Sequence, residues 1–353
     1  MVGFFRGFGA TKAAHASVNR IMNMAVDTLI VNGNQEVEQM KWGIMGLGKI
    51  ARDFAAQINE TRPVYGVASR DPARTAQFAA AFQVEHQYAS YQEMAADPHI
   101  DCIYIATVNS QHLKDIRLCL EAGKNVLCEK AIWRNYAETK AMYDLARQKH
   151  LILAEAMTIY HMPLYRQLRQ LIEAGQIGQL KMIQANIGSV MAADPKNRFF
   201  DPALGGGAMQ DIGTYALSFI RFFSGDTLGQ PQYTMKKAPT GVDEMWSIAL
   251  ATDKGVLANA NMAFRANLPQ RALITGDGGY IEVPNFLRAD SATLVGADGT
   301  PRVIQVGQTA QAMAYEVADF EQAVQTPATG LAFSQETLDV IKLIDQLMTA
   351  AQV

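Results

Sequence analysis

The run Gly46-Leu-Gly48-Lys49-Ile50-Ala51 constrains this chain more than any other stretch. It follows a short apolar segment, Lys41-Trp-Gly-Ile-Met45, and opens one with Ile50, Phe54 and Ile58 at helical spacing. A G-x-G-x-x-G/A pattern between a strand and a helix is the turn by which a parallel α/β unit cradles a dinucleotide. Gly46 permits the tight turn. Gly48 lets backbone approach a pyrophosphate, and Ala51 is small enough for close packing of helix on strand. The free N–H groups and positive dipole end of the helix then face the phosphates. Gly46, Gly48, Lys49 and Ile50 are therefore the expected phosphate-side residues. An ordinary glycine turn is the competing reading, and the units that follow weigh against it.

From Lys41 to about Met157 apolar runs alternate with helical patterns: PVYGVASR, PARTAQFAAAF, IDCIYIAT, HLKDIRLCLEAG, NVLCEK, YAETKAMYDLARQK and LILAEAM. This predicts a doubly wound parallel sheet of Rossmann type. After Pro163 the pattern changes. A helix over LYRQLRQLIEAGQIG precedes an alternating strand, KMIQANIGSV, then a helix from Gly205, then paired strands around Asp253–Gly255 and across RALITGDGGYIEVPNF. The expected class is α/β: an N-terminal Rossmann domain plus a C-terminal α/β domain with a large, mostly antiparallel open sheet. Expected boundaries are an extension over 1–39, a dinucleotide domain over 40–160, a substrate and dimerisation domain over 161–330, and a C-terminal helix over 331–353. Its buried stripe is Leu338, Ile341, Ile344 and Leu347.

At 353 residues two domains are the default. A formal charge of −3 with no Lys/Arg run argues against a nucleic-acid partner, and no stretch reaches the roughly 20 apolar residues of a membrane helix. Cys102, Cys119 and Cys128 are few, odd in number and without CxxC spacing, which fits reduced thiols in a cytoplasm. No histidine follows His161, so the second half supplies neither a histidine base nor a His-based metal site, and no metal is expected. Residues 1–39 read as a poorly ordered extension ahead of Met40, with a faint likeness to a transit peptide in Arg6, Lys12 and Arg20.

The tip of the second strand selects the dinucleotide. An NAD site usually ends it in Asp or Glu for the ribose hydroxyls. Here it reads Ala68-Ser69-Arg70. Ser69 is able to bond a 2′-phosphate, and Arg70 to pair with it or stack on adenine. Asp71 before Pro72 reads as a helix N-cap instead. NADP is favoured over NAD, against the plainer reading of Arg70 as a solvated surface residue.

The stretch GGGAMQDIGTYALSF, Gly205 to Phe219, places Asp211 and Tyr215 four apart on one face of an otherwise apolar helix. Taken alone, the pair reads more readily as a core tyrosine with a partner or cap than as proton-handling groups.

Four stretches resolve this together: Thr107-Val-Asn109-Ser-Gln-His112, Glu129-Lys130-Ala131 with Asn135, Glu155-Ala156, and Gly205 to Gly213. In order and spacing they resemble the glucose–fructose oxidoreductase / inositol dehydrogenase (Gfo/Idh/MocA) family, from about Met40 to near the end of the chain. Within it the resemblance is greatest to the dimeric dihydrodiol dehydrogenase branch. The resemblance implies a Rossmann domain and an α/β domain whose open sheet makes a homodimer or higher homo-oligomer. It implies Thr107, Asn109 and His112 near the nicotinamide half, and Glu129-Lys130 as the family's Glu-Lys-Pro motif with Lys130 at the catalytic centre. Ala131 replaces the proline; a cis bond there costs about 2.5–4 kcal/mol without it, so a shifted Lys130 is expected. Tyr160 stands where many relatives carry arginine, and Tyr215 where sugar-dehydrogenase relatives carry histidine.

The resemblance then favours the proton-handling reading. Tyr215 is assigned as acid/base, Lys130 as the ammonium that lowers the phenol's pKa and donates to a substrate hydroxyl, and Asp211 as the group that orients substrate or Lys130. The expected substrate wall is Trp133, Tyr160, His161, Arg198 and Phe199, although Trp133 and His161 also read as core residues. The implied activity is hydride transfer between NADP and a secondary alcohol or carbonyl of a small sugar, polyol or cyclic diol. Rival readings are a nucleotide-binding sensor without turnover, and a relative that recycles tightly held cofactor.

Overall fold

A computed structural model describes residues 39–353, apart from 60, 193, 195 and 196. The extension expected over 1–39 falls almost wholly outside the described residues. Residues 40–353 form one compact unit containing both sheets.

The first sheet holds β1 (Trp42–Met45), β2 (Val64–Ala68), β3 (His86–Tyr88), β4 (Cys102–Ile105), β5 (Asn125–Glu129) and β6 (Leu153–Ala156). Its order is β3-β2-β1-β4-β5-β6 and every pairing is parallel. Interleaved are α1 (Lys49–Ile58), α2 (Pro72–Phe82), α3 (Tyr91–Ala96), α4 (His112–Glu121) and α5 (Tyr136–Gln148). Strand order reverses between β1 and β4, and ligands of such sheets lie at that switch point, outside the strands' carboxyl ends. Helices on both faces leave β1 and β4 buried along their whole length, hence their unbroken apolar sequences.

Two 3-10 turns, Thr158–Tyr160 and Pro202–Leu204, and α6 (Pro163–Glu173) lead into the second half. Its sheet comprises β7 (Leu180–Val190), β8 (Gln232–Lys237), β9 (Asp243–Ala251), β10 (Leu257–Ala263), β11 (Arg265–Gly276), β12 (Gly279–Pro284), β13 (Ser291–Val295) and β14 (Pro301–Gln305). The order is β14-β13-β12-β11-β7-β10-β9-β8, antiparallel except for β10 beside β7. One face buries Ile183, Ala185 and Ile187 of β7 beneath α7 (Thr214–Ser224). The opposite face leaves Leu257, Tyr280 and Val303 exposed. The α/β class with a parallel and a mostly antiparallel sheet is as the sequence predicts.

The chain closes with α8 (Ala312–Gln325), which returns to pack on α1, and α9 (Ser334–Ala351), which packs on α5 and α7. Leu338, Ile341, Ile344 and Leu347 of α9 are buried as the spacing requires. Each such side chain contributes about 1.5–3 kcal/mol when removed from water. Cys102, Cys119 and Cys128 are all buried and unpaired. No helix among the described residues is long and apolar enough to cross a membrane.

The segment from Gly205 departs from the single helix expected of it. Gly205 ends the 3-10 turn with φ of 77°, and a π-helical turn over Met209–Gly213 precedes α7. A buried carboxylate accounts for Gly207: a Cβ there would lie 2.1 Å from Asp243 Oδ1. Asp243 of β9 is fully buried, and its Oδ2 accepts from Met209 N at 2.6 Å and Trp246 Nε1 at 2.7 Å. It thus satisfies a backbone donor at the start of the turn, where a helix has no partner of its own.

Candidate active site

A cleft of about 1350 Å³ opens at the carboxyl ends of the parallel strands, lined by residues of both halves of the chain. Its floor at one end is the glycine turn. Gly46 has φ of 89°, and a Cβ on it would lie 2.8 Å from the Ala106 carbonyl and Thr107 N. Gly48 caps α1, and a Cβ on it would meet no protein atom within 4 Å. That open space beside the free N–H groups of α1 fits a phosphate-bearing cofactor. Lys49 and Ile50 border the cleft too, with Lys49 exposed and paired to Asp53 at 2.9 Å.

Ser69 and Arg70 line the same end, after β2. Asp71 is the N-cap of α2, accepting from Ala73 N and Arg74 N. Ser69 departs from its expected role. Its buried hydroxyl donates to Asp71 O at 2.8 Å, or shares a proton with Thr75 Oγ1 at 2.9 Å, so the turn already engages it. Arg70 is exposed, and Arg74, unnoticed in the sequence, joins it in the lining. Its four-residue spacing from Arg70 across a capped first turn was the available signal.

Thr107, Asn109 and His112 follow β4 and border the middle of the cleft. Each is also tied into the protein. Thr107 donates to Asp115 Oδ2 at 2.7 Å and Asn109 Nδ2 to Ala131 O at 3.1 Å. His112 is 1% exposed, its ring nitrogens against Ala131 O, Ile132 O and Thr107 O. Burial pushes its pKa down while the three carbonyls act the other way, and the ring braces the turn after β5.

That turn carries Lys130. The Lys130–Ala131 peptide bond is cis, although the missing proline argued against it. Asn109 and His112 hold Ala131 O, and Glu155 Oε1 accepts from Ile132 N at 2.9 Å. Burial pushes the Glu155 carboxyl up to about 7. Behind Lys130, Glu129 accepts from the Tyr104 hydroxyl and, through Oε2, from Lys130 N at 3.1 Å. Tyr104 is stacked on Phe54 of α1, centroids 3.7 Å apart. Lys130 therefore leaves a braced strand end.

Across the cleft, Lys130 Nζ donates to Asp211 O at 2.8 Å and Asp211 Oδ1 at 3.2 Å. It also sits over the Tyr215 ring, 4.8 Å from the centroid. Burial opposes the ammonium, but the surrounding Tyr215, Asp211 and Glu129 outweigh it, and its pKa lies above the ordinary lysine value. Burial also raises the Tyr215 phenol above its ordinary value; Lys130 pulls it down without overcoming burial. The expected net lowering is thus reversed, because the ammonium meets the ring face of a desolvated phenol. At neutral pH the phenol therefore keeps its proton.

Arg198 and Phe199 form the outer wall. Arg198 lies over the Phe199 ring at 4.1 Å, with Nη2 3.9 Å from Asp211 Oδ1. The other three expected wall residues are not among those lining the cleft. Trp133 lies beyond the turn and donates to Glu138 Oε2 at 2.6 Å. Tyr160 is 1% exposed and packs on Phe222 and Phe333. His161 is buried with Nδ1 2.7 Å from Asp319 Oδ2. The resemblance singles out Tyr160, as the position where relatives carry arginine, but Thr158–Tyr160 turns inward beneath α7, and its side chains join the core.

Comparison with known proteins accords with this arrangement. Residues 40–157 match the oxidoreductase family with NAD-binding Rossmann fold, and residues 165–282 match the GFO/IDH/MocA C-terminal domain. A trans-1,2-dihydrobenzene-1,2-diol dehydrogenase of Danio rerio is 34% identical over 261 residues, covering 72% of this chain and 78% of the relative. Among solved structures, levoglucosan dehydrogenase in complex with NADH and levoglucosan superposes with a TM-score of 0.77 at 20% identity, covering 89% of this chain and 98% of that one. A 3-ketoreductase from Actinomadura kijaniata with NADP and TDP-benzene gives 0.78 at 22% identity, covering 87% and 96%. With a parallel 3-2-1-4-5-6 sheet, a dinucleotide turn and matches to both halves, this chain belongs to the GFO/IDH/MocA family of oxidoreductases, as an NAD(P)-dependent dehydrogenase.

Proposed function

We propose that the chain is an NADP-preferring oxidoreductase that moves a hydride between nicotinamide and a secondary alcohol or carbonyl of a sugar, polyol or cyclic diol. The observation carrying this reading is Lys130 Nζ lying over Tyr215 and bonded to Asp211 inside the cleft. When bound, the nicotinamide supplies or takes the hydride. The residues of the chain manage the proton. Tyr215 donates it to a carbonyl oxygen in reduction and recovers it from the hydroxyl in oxidation. Lys130 offers a second donor to the same oxygen, and Asp211 fixes the lysine. The diol and sugar substrates in the names of the relatives support the substrate class. Residues 40–160 are proposed to hold cofactor, 161–330 to hold substrate and a second subunit through the exposed face of Leu257, Tyr280 and Val303, and 331–353 to form the closing helix. Sedimentation equilibrium reads that assembly, and a monomer throughout would contradict it.

An NADPH oxidation screen over sugars, 1,2-dicarbonyls and diols tests the reaction. Turnover on at least one class is expected. Tight dinucleotide binding with no turnover on any would instead favour a nucleotide sensor. For the cofactor, Arg70 and Arg74 are the exposed cations at the ribose end, and Asp71 is occupied as a cap. Replacing both arginines by alanine is expected to weaken NADP binding by about tenfold or more, the scale of a lost charge-assisted contact, with NAD affinity nearly unchanged. Titration calorimetry checks this. Equal wild-type affinity for the two dinucleotides would defeat the preference.

A further inference from the structure

Asp243 is fully buried and stands outside the cleft lining, yet it bonds to the segment that carries Asp211 and Tyr215. Burying a carboxylate is costly unless donors complete it. Two do so here: Oδ2 accepts from Met209 N at 2.6 Å and from Trp246 Nε1 at 2.7 Å. Oδ1 has no hydrogen-bond partner among the described residues and lies against Gly207. The strand is bent to deliver this side chain. Asp243 and Trp246 are three apart, so a regular strand would turn them to opposite faces. Lys236 of β8 pairs with Met245 and Lys237 with Asp243, so Glu244 is an extra residue in β9. Such a bulge re-aims the side chain beside it.

What Asp243 holds is the start of the π turn, whose first residue is Met209. At the far end Thr214 N reaches Met209 O, five residues back, where an α-helix reaches four. Met209 is thus tied on both sides, its N–H to the second sheet and its carbonyl to the π bond. Two residues on, Asp211 offers Lys130 Nζ its backbone carbonyl at 2.8 Å and its carboxylate at 3.2 Å. The backbone bond is the shorter. A lysine held only by a side chain follows that side chain's rotamer, whereas one held by a main-chain carbonyl follows the path of the turn. The same turn sets where α7 begins, and with it the Tyr215 ring, whose centroid lies 4.8 Å from the ammonium.

We propose that Asp243 is a positioning residue for proton transfer. By anchoring Met209 N it fixes the π turn, and through Asp211 O it fixes the place of Lys130 over the Tyr215 ring. It touches no reacting group and acts as a hydrogen-bond acceptor. The inference rests on Lys130 and Tyr215 managing the proton.

Asp243→Leu removes the acceptor, and Asp243→Asn keeps one in nearly the same place. Asp243→Leu is expected to lower turnover by about 10²-fold, the cost of displacing a catalytic group by about 1 Å, with dinucleotide affinity nearly unchanged. Its rise in oxidation rate should move to higher pH, because the phenol loses part of the field of the ammonium. Asp243→Asn should stay within about fivefold of the wild type and keep its pH profile. Gly207→Ala presses on the same contact from the other side, setting a methyl 2.1 Å from Oδ1. It should move the profile in the same direction, and it serves should the leucine variant fold poorly. Wild-type turnover in Asp243→Leu would overturn the proposal. So would a folded leucine or alanine variant that loses turnover with its pH profile unmoved, since that marks a structural role alone. An asparagine variant as damaged as the leucine one would overturn it too. A crystal structure of Asp243→Leu supplies a readout without turnover: Lys130 Nζ should lie beyond about 3.5 Å from Asp211 O, and a retained contact would contradict the proposal. A wild-type protein that turns over no substrate would instead defeat the proton-transfer reading, and the crystal structure would still decide whether Asp243 places the lysine.

Discussion

Tyr215→Phe is expected to reduce turnover by about 10²–10⁴-fold, the usual contribution of a positioned acid or base, while leaving dinucleotide affinity nearly unchanged. The ring that carries the Lys130 contact survives in phenylalanine, so the 4.8 Å ammonium–ring arrangement has no reason to collapse. Only the proton is lost. The pH response sharpens the expectation. Burial holds the phenol above its ordinary pKa, so Tyr215 carries its proton through neutral pH. Carbonyl reduction by the wild-type protein should therefore be flat across neutral pH and fall only at strongly alkaline pH. Alcohol oxidation, which needs the phenolate, should rise as pH rises. Tyr215→Phe should lack that rise. Stopped-flow rates of NADPH oxidation and NADP reduction against pH supply the check, and a variant with full turnover and the same profile would sink the assignment.

Lys130→Met is expected to be comparably damaging and to leave a distinct signature. Lys130 donates to both the carbonyl and the carboxylate of Asp211, bridging the end of β5 to the π turn before α7. Without it, the cation left near the partly buried Asp211 among the described residues is Arg198, 3.9 Å away and largely exposed. Leaving one partner of such a pair behind costs more than the pair contributes. Turnover should fall by about 10²-fold or more. The ammonium also acts to lower the phenol's pKa, so its removal should move the rise in oxidation rate to still higher pH. Lys130→Arg should recover part of that shift by restoring charge, though not the geometry of the reaction. A shift toward lower pH in Lys130→Met would contradict the role given to the lysine.

Much of the fold was legible because the parallel sheet is buried on both faces. Burial on both faces demands unbroken apolar runs, as at Cys102–Ile105, and the turn at Gly46 demands a residue that tolerates positive φ. β8 and β14 were not legible. Their side chains are nearly all exposed, and Gln232–Lys237 and Pro301–Gln305 show no sustained apolar alternation. The short β3 and α3 escaped for want of length. At the site, spacing put Asp211 and Tyr215 on one face, the family resemblance added Lys130, and the structure brings the three together. It did not reveal that burial outweighs the lysine at Tyr215, because desolvation depends on everything packed around the ring. Nor did it reveal Asp243 beneath Gly207, which is distant in sequence and reaches the turn only through the second sheet. Tyr160 and His161 follow β6 closely, yet the chain turns them into the core, a change of direction that local sequence does not encode.

The most direct measurement is a crystal structure of the protein with NADP and the diol or sugar that gives the highest turnover. The reacting hydroxyl oxygen is predicted to lie within about 3 Å of Tyr215 Oη, with Lys130 Nζ near it and still tied to Asp211. A substrate bound with its reacting carbon at the nicotinamide but its hydroxyl against other groups, and Tyr215 turned away, would contradict the proton-transfer role of this tyrosine.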